Sequence, residues 1–266
     1  MTAIVGTPVN MDFGDVAKRY EELATGKCGK RVAGYNHYGT IHDPWTGATP
    51  DEMIGWLHNG FKSPEFDVSE ISAMTQERRR AAWDEDDGEL FYDRVLNGDD
   101  EPFRRSRKVK ESKSGITINI MVSLAGITDA ATIAEYMRFC LATIAGIEAN
   151  GHDTEVFITS PLKNLYRDGR TITTRLRVKS FGELSDFTAW SALFSPGGYR
   201  HLIFLAWCMG AERNGVTDVS STLGTCVDAP WDVTYEDGVL DITSPLTFRS
   251  FPEKEMREKL TKLNVH

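Results

Sequence analysis

The sequence predicts an α/β protein in which a layered, Rossmann-type sheet carries helices on both faces. Two observations predict this class. First, an apolar run at 116–124 leads through small residues into a long helix and then into a second strand at 154–159. Second, strands and helices continue to alternate to the end of the chain, which is typical of sheets with parallel strands and right-handed crossovers. An irregular, mainly helical N-terminal extension precedes this core.

The division of the chain is predicted from a change in pattern near residue 114. Residues 1–114 are polar and weakly periodic, and we expect them to pack as an extension on the core at 115–266. Within the extension, a short helix is predicted at 15–23. A second helix is expected after Thr49, whose hydroxyl can cap its N-terminus, and Gly60 ends it.

The first elements of the core follow from hydrophobic periodicity. The helix after strand 116–124 has a stripe of apolar residues that recur at helical spacing, namely Ile133, Met137, Leu141, Ile144 and Ile147. Asn150 and Gly151 end this helix, because both residue types tolerate a left-handed turn. The segment 171–181 alternates as a strand with one solvated face does, and we place it near a sheet edge.

The second half of the core is predicted in the same way. A helix is expected at 186–193, stopped by Ser195-Pro196-Gly197-Gly198. The apolar run at 201–208 is interpreted as a strand that is covered on both faces. A short strand at 238–243 follows, and Pro252 begins the last helix.

Composition limits the classes of protein that fit. The chain has 266 residues and a formal net charge of −9, which argues against a general nucleic-acid binder. Apolar runs are too short to span a membrane, and the N-terminus lacks the pattern of a secretory signal. The cysteines are far apart, so buried free thiols are favoured over a disulfide framework at Cys28, Cys140, Cys208 and Cys226.

Charge blocks between residues 76 and 113 allow two interpretations. One is a solvated connection in which opposite charges partly neutralise each other. The other is a strip that binds a polyanion through Arg104, Arg105, Arg107, Lys108, Lys110 and Lys113. The acidic run at 84–87 lacks the spaced ligand positions of a calcium loop.

Motifs for catalysis are not found in the sequence. It contains neither a phosphate-binding loop, nor a dinucleotide-binding glycine motif, nor the elbow of a serine nucleophile. His37 and His42 are the nearest approach to a paired metal motif, but an ordinary polar turn explains them better. We therefore predict no catalytic residue, no metal and no cofactor.

A resemblance extends this interpretation. The segment 116–158, the segment 181–204 and the N-terminal pieces Trp45-Thr46-Gly47-Ala48-Thr49 and Gly88-Glu89-Leu90-Phe91-Tyr92 resemble a family of uncharacterised tailed-phage proteins. The core of that family is similar to a von Willebrand factor A domain. The resemblance implies a von Willebrand-like sheet in this chain.

The resemblance also implies a place for a metal-ion-dependent adhesion site, which needs hard oxygen ligands. Ser123 matches one serine of that site, but Met121 and Ala125 occupy the positions of its first aspartate and its next serine. A second aspartate is expected where the chain reads Trp207-Cys208-Met209-Gly210. The resemblance therefore implies a degenerate site that binds no metal.

The predicted function is that of a non-enzymatic phage-encoded interaction or scaffold protein in the cytoplasm of the infected host. Its protein partner would contact residues around the degenerate turn, namely Ser123, Gly126, Thr128, Asp129 and Glu212. Asp129 as a helix cap and Glu212 as a solvated residue remain the plainer interpretations. Two alternatives stay open: a nucleic-acid-associated factor that uses the strip at 104–113, and a metal-assisted hydrolase.

Overall fold

The fold was analysed in a computed structural model. It describes residues 9–27, 47–63, 66–67, 83–84, 89–90, 103–104, 113–122, 130–163, 171–183, 185–213, 225–226, 229–245 and 250–263.

A mixed β-sheet forms the centre of the molecule. Six strands lie side by side in the order β1-β9-β8-β7-β12-β11, and the short β10 pairs with β8. Short strands also form a pair, β2-β3, and a three-stranded sheet, β4-β6-β5. The strands are β1 (Val9–Asp12), β2 (Lys62–Ser63), β3 (Phe66–Asp67), β4 (Trp83–Asp84), β5 (Glu89–Leu90), β6 (Phe103–Arg104), β7 (Lys113–Met121), β8 (His152–Lys163), β9 (Thr171–Lys179), β10 (Thr225–Cys226), β11 (Asp232–Glu236) and β12 (Val239–Thr243).

The helical elements follow the predicted order, with one exception given below. They are α1 (Phe13–Ala24), α2 (Pro50–Asn59), α3 (Ala130–Ala149), α4 (Phe187–Leu193), α5 (Pro196–Gly198), the π-helical turn π1 (Tyr199–Ile203), α6 (Phe204–Arg213) and α7 (Glu253–Lys262).

The sheet combines parallel and antiparallel neighbours. β7 runs parallel to β8, to which α3 connects it, and also parallel to β12. β9 is antiparallel to β8 and parallel to the edge strand β1, and β11 is antiparallel to β12. The predicted strand-helix-strand unit and the parallel component are therefore confirmed.

One face of the sheet forms the hydrophobic core. Ile116, Ile118 and Ile120 of β7 are almost completely buried, whereas the alternate residues Thr117 and Asn119 are partly exposed. This is the period of two that a strand with one covered face shows. The buried side chains of the helices belong to the same apolar cluster as those isoleucines. Within the described ranges the helices thus pack on one face, not on both as predicted.

The N-terminal segment contributes directly to this sheet. β1 pairs with β9 from Val9–Thr174 to Asp12–Arg177, and Val16 and Tyr20 of α1 are buried in the core cluster. The described part of 1–114 contains two helices and several short strands, so its mainly helical character is not shown. The division into 1–114 and 115–266 stays a prediction.

The predicted caps of α2 are confirmed. Thr49 Oγ1 accepts a hydrogen bond from the backbone N–H of Glu52 at 3.2 Å, and the Glu52 carboxylate accepts one from the N–H of Thr49 at 2.7 Å. At the other end Gly60 has a φ of 80°, a left-handed conformation that glycine adopts without steric cost. Local chemistry thus sets both ends of this helix.

The predicted strand at 201–208 is wrong. These residues are helical and lie in π1 and α6. They form a continuous helical stretch with α5, which begins directly after Ser195. The hydroxyl of Ser195 accepts a hydrogen bond from the N–H of Gly198 at 3.0 Å. A fully apolar run of this length suits a buried helix as well as a buried strand, because neither has a solvated face that would reveal its period.

His201 in π1 connects three parts of the fold. It is 1% exposed, its Nδ1 lies 3.0 Å from the Tyr20 hydroxyl, and its Nε2 lies 2.9 Å from the carbonyl oxygen of Ala48. Since a carbonyl only accepts, Nε2–H donates to Ala48 and Nδ1 accepts from Tyr20. The neutral imidazole satisfies both neighbours.

Stability is expected to fall as the pH decreases below about 6.5. Burial lowers the pKa of His201, and the nearby Arg200 also lowers it, while the bond to Ala48 opposes the shift. The unfolded chain therefore binds a proton at a higher pH than the folded chain does. The contribution of neutral His201 to the free energy of unfolding is fully present above the pKa of this histidine in the unfolded chain. It is lost as the pH falls through the lower pKa of His201 in the folded chain.

The measurement is the urea midpoint at about pH 7.5 and about pH 5.5. The matched control is His58→Gln, since His58 is 62% exposed in its side chain. The decrease of the urea midpoint between the two pH values should persist in His58→Gln and should become smaller in His201→Gln. An equal decrease in both variants would contradict the assignment.

Two further predictions concern the thiols and the membrane. Cys140 and Cys208 are free and buried, as predicted, and burial raises the pKa of both thiols. Cys28 and the side chain of Cys226 lie outside the described residues. In the part of the chain that the structure describes, no helix is long and apolar enough to cross a membrane.

Candidate functional site

The sheet face opposite the core carries a row of four polar residues and one phenylalanine across five strands. Register places Asp12 opposite Arg177, Arg177 opposite Phe157, Phe157 opposite Asn119, and Asn119 opposite Asp241. Directly opposed residues point to the same side of a sheet. We call the surface formed by these five residues and Arg175 the polar face.

Arg175 lies at the centre of the polar face. Its guanidinium carbon stands 3.4 Å from the centroid of the Phe157 ring, and its Nη2 donates to Asn119 Oδ1 at 3.1 Å. The Asn119 amide in turn donates to Asp241 Oδ1 at 2.8 Å. The guanidinium plane is thus held by stacking on one side and by a hydrogen bond at one edge.

The electrostatic surroundings of Arg175 are mixed. Partial burial lowers its pKa, and the nearby carboxylates of Glu155 and Asp241 oppose that shift. Arginine stays protonated at any physiological pH because its ordinary pKa exceeds 12. Arg175 is therefore a fixed, partly desolvated cation, which interacts more strongly with an anion than a fully hydrated one would.

A cleft of about 300 Å³ adjoins the polar face at the edge strand β1. Its lining consists of Asn10, Met11, Asp12, Asp15, Phe157, Arg175, Arg177 and Arg213. Arg213 comes from the last turn of α6 and Asp15 from the first turn of α1. The cleft therefore forms only where the sheet edge, α1 and α6 come together.

The arginines of the cleft are held to different degrees. Arg177 forms a close ion pair with Asp12, and this contact raises the pKa of Arg177. Arg213 lies 3.6 Å from the Asp15 carboxylate and donates a long hydrogen bond of 3.4 Å to the carbonyl oxygen of Asn10. Arg177 is thus engaged by its partner, whereas Arg213 is held loosely.

The predicted partner-binding residues are not brought together by the described structure. Glu212 is exposed on α6, beside Arg213. The other members of the predicted set lie outside the described residues, namely Ser123, Gly126, Thr128 and Asp129. A site around the turn after β7 therefore stays a prediction.

The predicted polyanion strip is described only at its ends. The backbone of Arg104 lies in β6 of the small three-stranded sheet, and that of Lys113 begins β7 of the main sheet. Outside the described residues lie Arg105, Arg107, Lys108 and Lys110. The strip as a binding surface stays a prediction.

Metal chemistry has no described site. Within the ranges given above, no group of three or more histidine, cysteine, aspartate or glutamate side chains is placed to hold a metal ion. His37 and His42 lie outside those ranges.

Sequence reasoning did not identify the cleft as a site. The predicted strand 171–181 with one solvated face contains Arg175 and Arg177, and in the structure Arg175 is half-buried and Arg177 is exposed. The available signal was their spacing of two residues in a strand, which directs both cations to one side. The contributions of Asp12, Asp15 and Arg213 depend on strand pairing and helix packing over long sequence distances.

Comparison with known protein families shows which family the chain matches. The model of the family described as "Domain of unknown function (DUF7192)" matches residues 5–265. No curated protein and no solved structure matches the chain.

Proposed function

The chain belongs to the DUF7192 family, and from this premise we propose that it is a non-enzymatic interaction protein that binds a protein partner through its polar face and the adjoining cleft. The observation that carries the proposal is the placement of Arg175, which is stacked on Phe157 at the centre of a polar row that crosses five strands. Arginine and aromatic residues are both enriched at protein interfaces, and arginine is among the residues that most often act as anchors there.

The chemistry of the polar face supports binding more than catalysis. Its carboxylates are already engaged: Asp12 accepts from Arg177, and Asp241 accepts from the neutral amide of Asn119. Arginine is an effective hydrogen-bond donor but a poor proton-transfer group, because its pKa lies far above neutral pH. Groups of this kind orient a partner and select its charge.

The balance of charge supports a protein partner over a nucleic acid. The cleft lining contains three arginines and two aspartates, and Glu155 and Asp241 lie near Arg175. Nucleic-acid backbones are bound by several cations that are not neutralised by neighbouring acids. A mixed surface suits a protein that itself displays both charges.

The finer parts of the proposal rest on the sequence resemblance. They are a von Willebrand-like core without a metal, a tailed-phage origin and action in the cytoplasm of the infected host. The polar face does not depend on them, because it is defined by described strands on the sheet itself.

Partner capture tests the proposal. Wild-type protein and the double variant Arg175→Met/Arg177→Met are used as baits in chemical cross-linking and affinity purification from cells that encode the chain. Loss of two anchor arginines should decrease recovery of the specific partner at least about tenfold, since a truncated anchor costs about 2 kcal/mol or more.

The matched control is Arg257→Met/Lys262→Met, which removes the same charge from α7. This helix packs on the core side of the sheet through Met256. The control should recover the partner as wild type does. Equal recovery by all three baits, with each variant folded, would reject the polar face as the binding surface.

A further inference from the structure

The guanidinium group of Arg175 lies flat over the middle of the sheet. Arg175 belongs to β9, the Phe157 ring beneath its guanidinium group belongs to β8, and its acceptor Asn119 belongs to β7. These three strands are neighbours in that order. The guanidinium group therefore crosses β8 to reach β7, with its inner plane against the ring and its outer plane facing away from the sheet.

The short distance to the Phe157 ring indicates that the two planar groups are stacked. The guanidinium carbon of Arg175 is 3.4 Å from the ring centroid. In an edge-on approach one nitrogen would lie about 1.3 Å closer to the ring, which is the length of a conjugated C–N bond, and it would clash with the ring atoms. A guanidinium plane that lies roughly parallel to the ring fits this distance.

The exposure of the two side chains supports the same orientation. Phe157 is only 7% exposed although it lies on the sheet face opposite the core, whereas Arg175 is partly exposed. Both residues line the cleft beside β1. The surface that this pair presents is therefore mainly that of the guanidinium group. Among the described residues, no aromatic ring lies against its outer plane.

A chain of hydrogen bonds holds the guanidinium group in this position. Nη2 of Arg175 donates to Asn119 Oδ1 at 3.1 Å, and the Asn119 amide donates to Asp241 Oδ1 at 2.8 Å. Both bonds orient the Asn119 amide, because its oxygen must face the donor and its nitrogen must face the carboxylate. A group that stacks on the outer plane would meet a cation that is already in place, so little side-chain entropy would be lost on binding.

The charge around Arg175 favours a neutral ligand. The carboxylates of Glu155 and Asp241 lie near its guanidinium group and offset the single positive charge. The surroundings therefore do not attract a free anion. Attraction to the face of an aromatic ring requires no charge on the ligand, because the π-system has a negative face that a cation can approach.

From these observations we propose that the outer plane of Arg175 stacks on an aromatic side chain of the protein partner, which places the guanidinium group between this side chain and Phe157. This inference rests on the proposed function, because the aromatic side chain would belong to the protein that binds the polar face. It adds the chemical class of the anchor residue that the partner presents. Anchor residues of two partners tend to contact each other, and aromatic residues are frequent among them.

The test compares two capped, uncharged peptides of similar size, of which only one has a π-system. They are N-acetyl-Gly-Phe-Gly-amide and the same peptide with cyclohexylalanine in place of phenylalanine. Binding to the full chain at millimolar peptide is followed by NMR of the Arg175 Nε–H group. The phenylalanine peptide should bind about threefold to fivefold more tightly, as a cation–π contact at a partly exposed site provides. It should also shift the Arg175 Nε–H signal upfield, because this group would lie over the face of the added ring.

Variants assign the contact to Arg175. In Arg175→Met an apolar chain replaces the cation, so the preference for the phenylalanine peptide should be lost. In Asn119→Ala the guanidinium group loses its bond at one edge, so the preference should decrease. The matched control is Arg257→Met, which should keep the wild-type preference. Arg257 also lies over a ring, that of Phe139 at 5.8 Å, but its Nε and Nη2 donate to Glu253.

The comparison of the two peptides uses the wild-type chain, so its result does not depend on the folding of a variant. Equal affinity of the two peptides, no binding of either peptide, an unchanged Arg175 signal or an undiminished preference in Arg175→Met would overturn the inference. The proposed function fails separately, if partner recovery is unaffected by Arg175→Met/Arg177→Met while wild type prefers the phenylalanine peptide. If that double variant loses the partner but wild type shows no preference, only the aromatic assignment fails.

Discussion

Gly198→Ala is expected to destabilise the protein by more than about 3 kcal/mol. A Cβ atom at this position would lie 2.2 Å from the carbonyl oxygen of Leu193 and 2.3 Å from that of Ala192. Both contacts are with backbone atoms, which cannot rotate away as the end of a side chain can. Relief requires a shift of the helical stretch at 196–213 relative to α4.

The geometry around Gly198 explains why the backbones are so close. Ser195 joins α4 to the next helical stretch, because its hydroxyl accepts the N–H of Gly198 and donates to the carbonyl oxygen of Ala192. This compact junction leaves room only for hydrogen at Gly198. Since the following stretch carries His201 and much of the core, the strain reaches the centre of the fold.

The measurement is the free energy of unfolding in urea, with Gly146→Ala as the matched control. Gly146 lies inside α3, and a Cβ atom there meets nothing within 4 Å. Alanine in a helix interior is favoured over glycine by up to about 1 kcal/mol, so the control should be neutral or more stable. Similar stability of the two variants would show that the junction adapts.

Lys179→Met is expected to destabilise the protein by about 2–4 kcal/mol. Lys179 is 3% exposed, and its ammonium group lies 3.2 Å from Glu148 and 3.3 Å from Asp153. It also donates to the carbonyl oxygen of Thr154 at 2.6 Å. Removing the ammonium group leaves Glu148, which is 16% exposed, without its cationic partner.

We expect the loss of stability in Lys179→Met to stay below the upper limit for a broken buried ion pair, because Glu148 keeps other hydrogen-bond donors. The hydroxyls of Thr154 and Ser185 donate to its carboxylate at 2.6 Å and 2.7 Å. In Lys179→Met/Glu148→Gln no unpaired glutamate remains, so this double variant should lose less stability than the sum of the single changes.

The matched control for this prediction is Lys259→Met. Lys259 contacts Asp232 at 3.1 Å and Glu255 at 3.4 Å, but it is 32% exposed in its side chain. Such surface pairs contribute about 0–1 kcal/mol. The measurement is the free energy of unfolding of both variants in urea. If Lys179→Met loses no more stability than Lys259→Met does, the prediction is contradicted, and solvent reaches Glu148 once the lysine is removed.

Most local elements could be predicted from the sequence because their signals are local. Thr49, Glu52 and Gly60 set the ends of α2 through bonds and backbone angles within a few residues. The isoleucines of β7 and the stripe of α3 show their periods clearly, since one side of each element is more polar than the other. For these elements the local sequence pattern is enough to predict the secondary structure.

The failures occurred where the deciding contacts are distant in sequence. The segment at 201–208 is apolar throughout, and only its neighbours determine that it is a helix. Within the described residues the helices pack on the core face alone, because the outer face of the sheet carries polar residues such as Asn119 and Arg177. The site is a further example, since Arg175 and Arg177 belong to a strand with a solvated face, while Arg213 comes from a helix that no local pattern connects to that strand.

The sequence by itself determined the α/β class, the strand-helix-strand unit at its centre and the ends of several helices, since these depend on periodicity and capping over a few residues. The tertiary structure decided that the described helices pack on the core face of the sheet and that β1 pairs only with β9 among the described strands. It also aligned Asp12, Arg177, Phe157, Asn119 and Asp241 in one row. Strand register joins Asp12 to Arg177 and Asn119 to Asp241, which are more than a hundred positions apart in each pair, and no local pattern encodes such pairs.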